Sequence, residues 1–180
     1  MHLQKLRALS FLLIALPILA SAASVDNASL EMGGGAKVQM VRVGFQKNWE
    51  KKYFQSNGTH VAAYWDFSLA QWRGNAFNNV DGQHQNITDI GATPTFRFQS
   101  DSMRGWYAEA GVGYHLLSAL YNNDNNKLST AFQFGDHLGA GYVFRNGWEM
   151  GMRIQHFSNG GIKKPNSGVN FLVLKLARPF

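Results

Sequence analysis

Residues 106–117 read WYAEAGVGYHLL, and this stretch decides the fold that the sequence predicts. Side chains along a β-strand point alternately to two faces. One face of this stretch is apolar throughout, whereas the other carries Glu109, His115 and glycines beside Tyr107. Strands in globular sheets are usually about five or six residues long, and a tilted strand needs about nine to eleven residues to cross lipid. The length and the alternation together favour a membrane-crossing strand.

The same pattern recurs along the chain. An apolar outer face with a polar inner face is typical of outer-membrane barrels, whose strand number is even. Seven runs show strand character, so an eighth strand is needed, and the remaining chain supplies it at Val25–Met32, followed by a turn at Gly33–Gly35. The sequence therefore predicts an all-β fold, an eight-stranded antiparallel outer-membrane β-barrel with side chains filling its interior. The seven runs are Lys37–Trp49, Thr59–Trp72, Thr88–Phe98, Trp106–Leu117, Ala131–Phe144, Trp148–Phe157 and Val169–Phe180.

The predicted connections alternate between short and long, as periplasmic turns and external loops do in such barrels. The predicted turn at Gly33–Gly35 is the exception, because it would be external and yet short. The shorter connections are Glu50–Gly58, Gln99–Gly105 and Arg145–Gly147. The longer ones are Arg73–Ile87, Ser118–Thr130 and Ser158–Gly168.

The first residues have the form of an export signal. Lys5 and Arg7 precede an apolar segment, Ala8–Leu19, and residues 20–22 end it in the small-x-small form of a cleavage site. We therefore predict a signal peptide at residues 1–22 and a barrel domain at residues 23–180. The absence of cysteine excludes disulfides and thiolate metal sites. Removal of Lys5 and Arg7 with the signal peptide lowers the formal net charge from +6 to +6 − 2 = +4, and a mildly basic exported protein suits an anionic surface.

A candidate site lies where the run Trp148–Phe157 ends. His156 and Ser158 share one face there, at the end of an otherwise apolar row. A hydroxyl nucleophile needs a neighbouring base, and imidazole is the commonest one. The spacing alone is a weak motif, and a polar cap on the strand explains it as well. The predicted topology puts both side chains at the external end, on the face turned toward lipid, where an enzyme that acts on the lipid itself would need them.

The hairpin register brings further polar groups to this place. A three-residue turn at Arg145–Gly147 pairs Phe144 with Trp148 and keeps both apolar rows on one face. Asp136 then lies opposite His156, and Asn170 on the last strand approaches from the other side. Asp136 is either functional or a charge in the headgroup zone, and this register does not decide between them.

The loop after Ser158 offers candidate oxyanion donors in Asn159, Gly161 and Asn166, because glycines expose backbone N–H groups and an asparagine amide donates well. An ordinary glycine-rich surface loop fits the same composition. The other histidines of the barrel domain show no ligand spacing, so no metal site is predicted.

Two segments carry a family resemblance. Residues 156–168, HFSNGGIKKPNSG, together with residues 134–141, FGDHLGAG, resemble the active-site segment of the lipid A 3-O-deacylases of the PagL family. This resemblance implies an eight-stranded outer-membrane barrel with an external, lipid-facing site. It further implies that Ser158 is the nucleophile and His156 its general base. The implied oxyanion site comprises Asn166 and backbone N–H groups near residues 159–161.

The sequence departs from the family at the third member of the triad. The family has a glutamate on the last strand that orients the histidine, and here the matching residue is Asn170. An amide can orient imidazole but cannot stabilise the imidazolium as a charge does. Asp136, placed opposite His156 by the register, could supply that charge.

The function implied by the resemblance is hydrolysis of the 3-hydroxyacyl ester at position 3 of lipid A, through a serine acyl-enzyme and without a cofactor. The expected partners are lipopolysaccharide and the outer membrane of a Gram-negative cell, with the site facing the outer leaflet. No nucleic-acid partner is expected, and a homodimer is one state left open. Two other readings remain open: a structural or adhesive barrel without chemistry, and a barrel phospholipase or acyltransferase. Basic residues near the external rim either contact lipid A phosphates or are solvated loop charges, namely Arg73, Lys127, Lys163 and Lys164.

Overall fold

The chain folds into a closed antiparallel barrel of eight strands. The computed structural model describes residues 25–180, and the predicted signal peptide, residues 1–22, lies outside them. The barrel strands are β1 (Asn27–Gly35), β2 (Val38–Asn48), β4 (Thr59–Gly74), β5 (Gln85–Ser100), β6 (Gly105–Leu117), β9 (Phe132–Val143), β10 (Glu149–Ser158) and β11 (Val169–Pro179). Each strand pairs with its neighbour, and β1 pairs with β11 to close the barrel. Three short strands lie outside this ring: β3 (Tyr53–Ser56), β7 (Asn122–Asn123) and β8 (Asn126–Lys127).

The prediction of an eight-stranded barrel is confirmed, but the first turn was placed wrongly. The predicted turn residues Gly33–Gly35 belong to β1, and the chain reverses at residues 36–37, where Lys37 has a positive φ of 48°. The physical reason is a close approach between strands. A Cβ atom on Gly35 would collide with the backbone carbonyl oxygen of Asn170 on β11. Glycine is needed here for packing at the closure of the barrel, and the turn itself uses other residues.

The outer wall is apolar, as the alternation predicts. The outward side chains of β10 and β11 show the pattern clearly: Ile154 is 62% exposed and Leu174 is 57% exposed. Inward neighbours on the same strands, Arg153 and Val173, are buried. Within residues 25–180 there is no helix long and apolar enough to cross a membrane.

The interior has two layers. Buried ion pairs fill the half away from the candidate site, where Arg97 binds Glu109 and Glu149 at 2.6 Å and 2.8 Å and Lys175 binds Glu149 at 2.8 Å. Arg42–Asp66 and Arg153–Glu31 continue this layer. Buried charges need such partners, since an unpaired one is very costly. The other half is mainly apolar and includes Met40, Trp72, Tyr121, Phe157 and Phe171. It also holds the buried pair of His115 and Asp89, at 2.9 Å.

The loops at the site end of the barrel are tied to one another. The Lys37 ammonium binds Asp81 at 2.8 Å and Asp124 at 3.2 Å, and these hydrogen bonds raise the pKa of Lys37. Buried Asn123 accepts a hydrogen bond from the backbone N–H of Ala76 at 2.7 Å. The loop of residues 118–131 therefore braces the neighbouring connections, and the barrel ends in a linked set of loops.

Candidate functional site

The strand pairing brings the predicted site residues of three strands together. His156 on β10 lies opposite Asp136 on β9 and opposite Asn170 on β11, as the predicted hairpin register requires. Ser158 lies opposite Phe134, two residues beyond His156 on the same outward row. Asp136, His156 and Ser158 are half-buried, whereas Asn170 is exposed.

Three buried aromatic side chains pack together on the inner face, behind the strands that carry these residues. Phe157 lies between His156 and Ser158 and points inward, where its ring meets Trp72 at 4.6 Å. Phe171 follows Asn170 and meets the same tryptophan at 5.0 Å. Burial of one such aromatic side chain stabilises the fold by roughly 1.5–3 kcal/mol. Trp72 thus holds β10 and β11 in register directly behind the outward polar groups.

The imidazole of His156 is oriented by Asn170. The Nδ1 atom lies 2.7 Å from Asn170 Oδ1. An amide oxygen can only accept a hydrogen bond, so Nδ1 carries the proton and donates it. Nε2 is then the unprotonated nitrogen of the neutral ring, free to act as a base.

Gly168 also contacts the imidazole ring of His156. It has a φ of +75°, and a Cβ atom at this position would lie 2.7 Å from His156 Cε1. The backbone of residue 168 therefore packs directly against the imidazole. Gly168 is not among the site residues predicted from the sequence, because its contact with His156 follows only from the folded path of the loop.

Asp136 and Ser158 lie near His156 without a direct bond to it. Within residues 25–180, no ion pair within 4.0 Å joins Asp136 to His156, and no hydrogen bond joins Ser158 to His156. The Ser158 Oγ atom instead accepts a hydrogen bond of 3.4 Å from the backbone N–H of Gly160. Hydrogen bonds of catalytic groups are often loose before substrate binds.

The loop after Ser158 is organised around the side chain of Asn159, which is fully buried. Its Nδ2 donates to the backbone oxygen of Lys163 at 2.7 Å, and its Oδ1 accepts from the N–H of Gly161 at 2.9 Å. Ser129 on the neighbouring loop donates to the same Lys163 oxygen at 2.8 Å. Ser129 is also absent from the site residues predicted from the sequence, because it is 34 residues away from Lys163 in the chain.

These bonds decide which donors of the loop are free. The N–H of Gly161 is taken by Asn159, and the N–H of Asn159 donates to Asn166 Oδ1 at 3.0 Å. The amide of Asn166 is thereby oriented, and its Nδ2 makes no hydrogen bond within residues 25–180. The N–H of Gly160 donates only to Ser158 Oγ, at a long 3.4 Å, so a ligand bound at Ser158 could replace that acceptor. The Nδ2 of Asn166 is the second donor of this loop that a ligand could use.

Comparisons with known proteins show which proteins this chain is similar to. The family model described as lipid A 3-O-deacylase (PagL) matches residues 39–179. The lipid A deacylase PagL of Pseudomonas aeruginosa is 30% identical over 165 residues, which cover 87% of this chain and 92% of that protein. The protein of the same name from Bordetella bronchiseptica is 36% identical over 94 residues, which cover 52% of this chain and 51% of that protein. The crystal structure of the outer membrane enzyme PagL superposes with a TM-score of 0.74 at 26% identity, covering 86% of this chain and 99% of that one.

Proposed function

The chain belongs to the lipid A 3-O-deacylase (PagL) family, and we propose on that premise that it removes the acyl chain at position 3 of lipid A through Ser158 and His156. The protein is an outer-membrane hydrolase of lipid A. The observation that carries the serine mechanism is the hydrogen bond from His156 Nδ1 to Asn170. It leaves Nε2 unprotonated on the outward row that ends at Ser158, which is the state that a general base needs.

The first half of the reaction forms an acyl-enzyme. Residues two apart on a strand are about 6.6 Å apart. In this proposal the Ser158 hydroxyl turns toward Nε2, while the imidazole stays bound to Asn170. Oγ attacks the ester carbonyl carbon as Nε2 takes the hydroxyl proton. The tetrahedral intermediate collapses, the bond to the sugar oxygen breaks, and His156 returns the proton to that oxygen.

The second half releases the acid. A water molecule attacks the acyl-enzyme with Nε2 as its base, and the free 3-hydroxy fatty acid leaves as Ser158 regains its proton. The negative oxygen of each tetrahedral intermediate needs fixed donors. We assign these donors to the N–H of Gly160 and the Nδ2 of Asn166. Asn159 and the N–H of Gly161 hold the loop in the shape that presents them.

Two further groups act on the imidazole. Asn170 sets its orientation and its protonated nitrogen. Asp136 lies opposite His156 and supplies negative charge that favours the imidazolium formed during attack. The site faces the outer leaflet in this proposal, because β10 leaves a short turn at residues 144–148 and ends at the long loop of residues 159–168.

The test is mass spectrometry of lipid A incubated with the purified, refolded protein. Wild-type protein should remove one 3-hydroxyacyl chain, and Ser158→Ala and His156→Ala should each lower the rate by roughly 10³-fold or more. Ser118→Ala and His84→Ala, which change exposed residues of other loops, serve as matched controls. Heat-modifiable gel migration reports folding of each variant. Full activity in a folded Ser158→Ala protein would refute the serine mechanism, and turnover of phospholipid in place of lipid A would refute the substrate.

A further inference from the structure

A buried histidine and aspartate lie directly behind the candidate site, and the proposed mechanism does not use them. His115 on β6 is 1% exposed, and Asp89 on β5 is fully buried. The Nδ1–H of His115 donates to the two carboxylate oxygens of Asp89, at 2.9 Å and 3.1 Å. Its Nε2 lies 3.5 Å from the hydroxyl of Thr93. Because the ring and the carboxylate reach neither lipid nor solvent, they can affect a reaction only through the residues packed against them.

Glycines on the two neighbouring strands make room for the imidazole of His115. A Cβ atom on Gly91 of β5 would collide with its Cε1, and a Cβ atom on Gly135 of β9 would collide with its Cδ2. The backbones of β5 and β9 therefore flank the ring closely, which glycine alone permits. The carboxylate of Asp89 then fixes the direction in which the ring nitrogens point.

The ring of His115 contacts both strands that carry the outward polar groups of the site. On β10 it meets the ring of Phe157 edge-to-face, with the ring centroids 4.9 Å apart. Phe157 is the residue between His156 and Ser158. On β9 the ring abuts Gly135, the residue before Asp136. A buried polar group whose hydrogen bonds are satisfied makes a core rigid and specifies one arrangement of it, so this pair determines where the two strands lie.

We propose that His115, held by Asp89, is a positioning residue for deacylation, because its contact with Phe157 sets the distance between Ser158 and His156. This inference rests on the proposed function. Ser158 must pass its proton to Nε2 across a hydrogen bond, and a misplacement of roughly 1 Å can cost about a hundredfold in rate. The backbone of residue 157 joins the two reacting residues, so a shift of its side chain moves both of them.

The first experiment measures kcat and KM for deacylation of lipid A by His115→Ala and by His60→Ala. His60 is the matched control, because it is a buried histidine 2.7 Å from Asp101 at the other end of the barrel. His115→Ala should lower kcat about tenfold to a hundredfold and leave KM within about twofold, since the substrate does not touch the interior. His60→Ala should keep both constants. An unchanged kcat in folded His115→Ala, a loss confined to KM, or equal losses in the two variants overturns the proposal.

Two substitutions of Asp89 test whether its hydrogen bond to His115 matters. Asp89→Asn keeps an oxygen that accepts from the Nδ1–H and should keep close to the wild-type kcat, whereas Asp89→Leu removes the acceptor and should lower kcat toward that of His115→Ala. The double variant should be no slower than His115→Ala alone, because residues that act as one unit are not additive. Losses that add, or an Asp89→Asn protein as slow as Asp89→Leu, overturn the proposal. The two single Asp89 variants also decide it if His115→Ala does not fold.

A measurement without turnover separates this inference from the proposed function. A single fluorine on the ring of Phe157 should give one sharp NMR resonance in the refolded wild-type protein and in His60→Ala. In His115→Ala the resonance should broaden or split, because the cavity left beside Phe157 gives its ring more than one position. One sharp resonance in folded His115→Ala overturns the inference. A wild-type protein that hydrolyses no lipid A would refute the proposed function, and the fluorine spectra would still decide whether His115 positions Phe157.

Discussion

The hydrogen bond between His156 and Asn170 gives the most discriminating prediction for the triad. Asn170→Ala removes the acceptor that lies 2.7 Å from Nδ1. A neutral hydrogen bond contributes about 0.5–1.5 kcal/mol, and about 1.36 kcal/mol corresponds to a tenfold change in rate. We therefore expect deacylation to slow about twofold to tenfold. Because Asn170 is exposed, the barrel should fold as before.

The effect of a negative charge beside His156 Nδ1 can be tested by a second substitution of Asn170. Asn170→Asp keeps the length of the side chain and replaces its amide by a carboxylate, and a charge-assisted hydrogen bond is about twice as strong as a neutral one. The gain is largest in the transition state, where the imidazolium forms. We expect the rate to rise up to about tenfold above wild type.

Asp136→Asn tests whether the carboxylate opposite His156 contributes to the rate. Outward side chains on paired strands have Cβ atoms about 5 Å apart, and two unit charges at that separation attract by about 1 kcal/mol even at the dielectric constant of water. Deacylation should therefore slow about fivefold to tenfold. Initial rates on one lipid A preparation, read by mass spectrometry, decide all three variants. If both Asn170 variants keep the wild-type rate while Asp136→Asn lowers it, Asn170 has no role, and if none of the three changes it, His156 and Ser158 act as a dyad.

Two further predictions concern the loop and its side of the membrane. Gly168→Ala should lower activity more than tenfold, because a Cβ atom 2.7 Å from His156 Cε1 displaces the ring and an L-residue in this conformation costs about 1–2 kcal/mol. The control is Gly82→Ala, which should keep the wild-type rate because Gly82 has a similar φ of +82° and open space around it. Equal rates for the two variants would contradict the role of Gly168. The chain has no cysteine, so Lys163→Cys and Lys52→Cys each introduce a single thiol. The thiol of Lys163→Cys should react with a membrane-impermeant reagent on intact cells, whereas that of Lys52→Cys should react only after lysis. The reverse result would invert the proposed topology.

The barrel could be predicted from sequence because lipid imposes a strict rule on every strand. Rows such as Met150, Met152 and Ile154 must face outward together, and a slip of one residue would place Arg153 in lipid. Together with the three-residue turn at Arg145–Gly147, this rule fixes the register of β9 and β10 and the position of Asp136 opposite His156. It does not fix where a strand ends. Glycine served as a turn signal at Gly33–Gly35, whereas its physical role there is to let β1 approach Asn170.

The finer geometry of the site depends on contacts that no local pattern contains. The neighbouring positions of His156, Ser158 and Asn170 follow from strand pairing alone. The contact of Gly168 with the imidazole, and the bond of Ser129 to the loop, arise from the three-dimensional paths of two loops. The engagement of the N–H groups of Asn159 and Gly161 also became visible only in the folded loop. Such contacts join residues far apart in sequence, so composition and spacing carry no signal for them.

Asn170 lies on the strand that closes the barrel, so the proposed catalytic site depends on the last step of barrel assembly. β11 is held by β10 on one side and by β1 on the other, and Gly35 of β1 abuts the backbone of Asn170. Before the two ends of the chain meet, β11 is a free sheet edge, and nothing on that side fixes the partner of His156. In an unfinished barrel only β10 holds Asn170 beside His156. We therefore expect the deacylation rate to reach its full value only after β1 and β11 have paired.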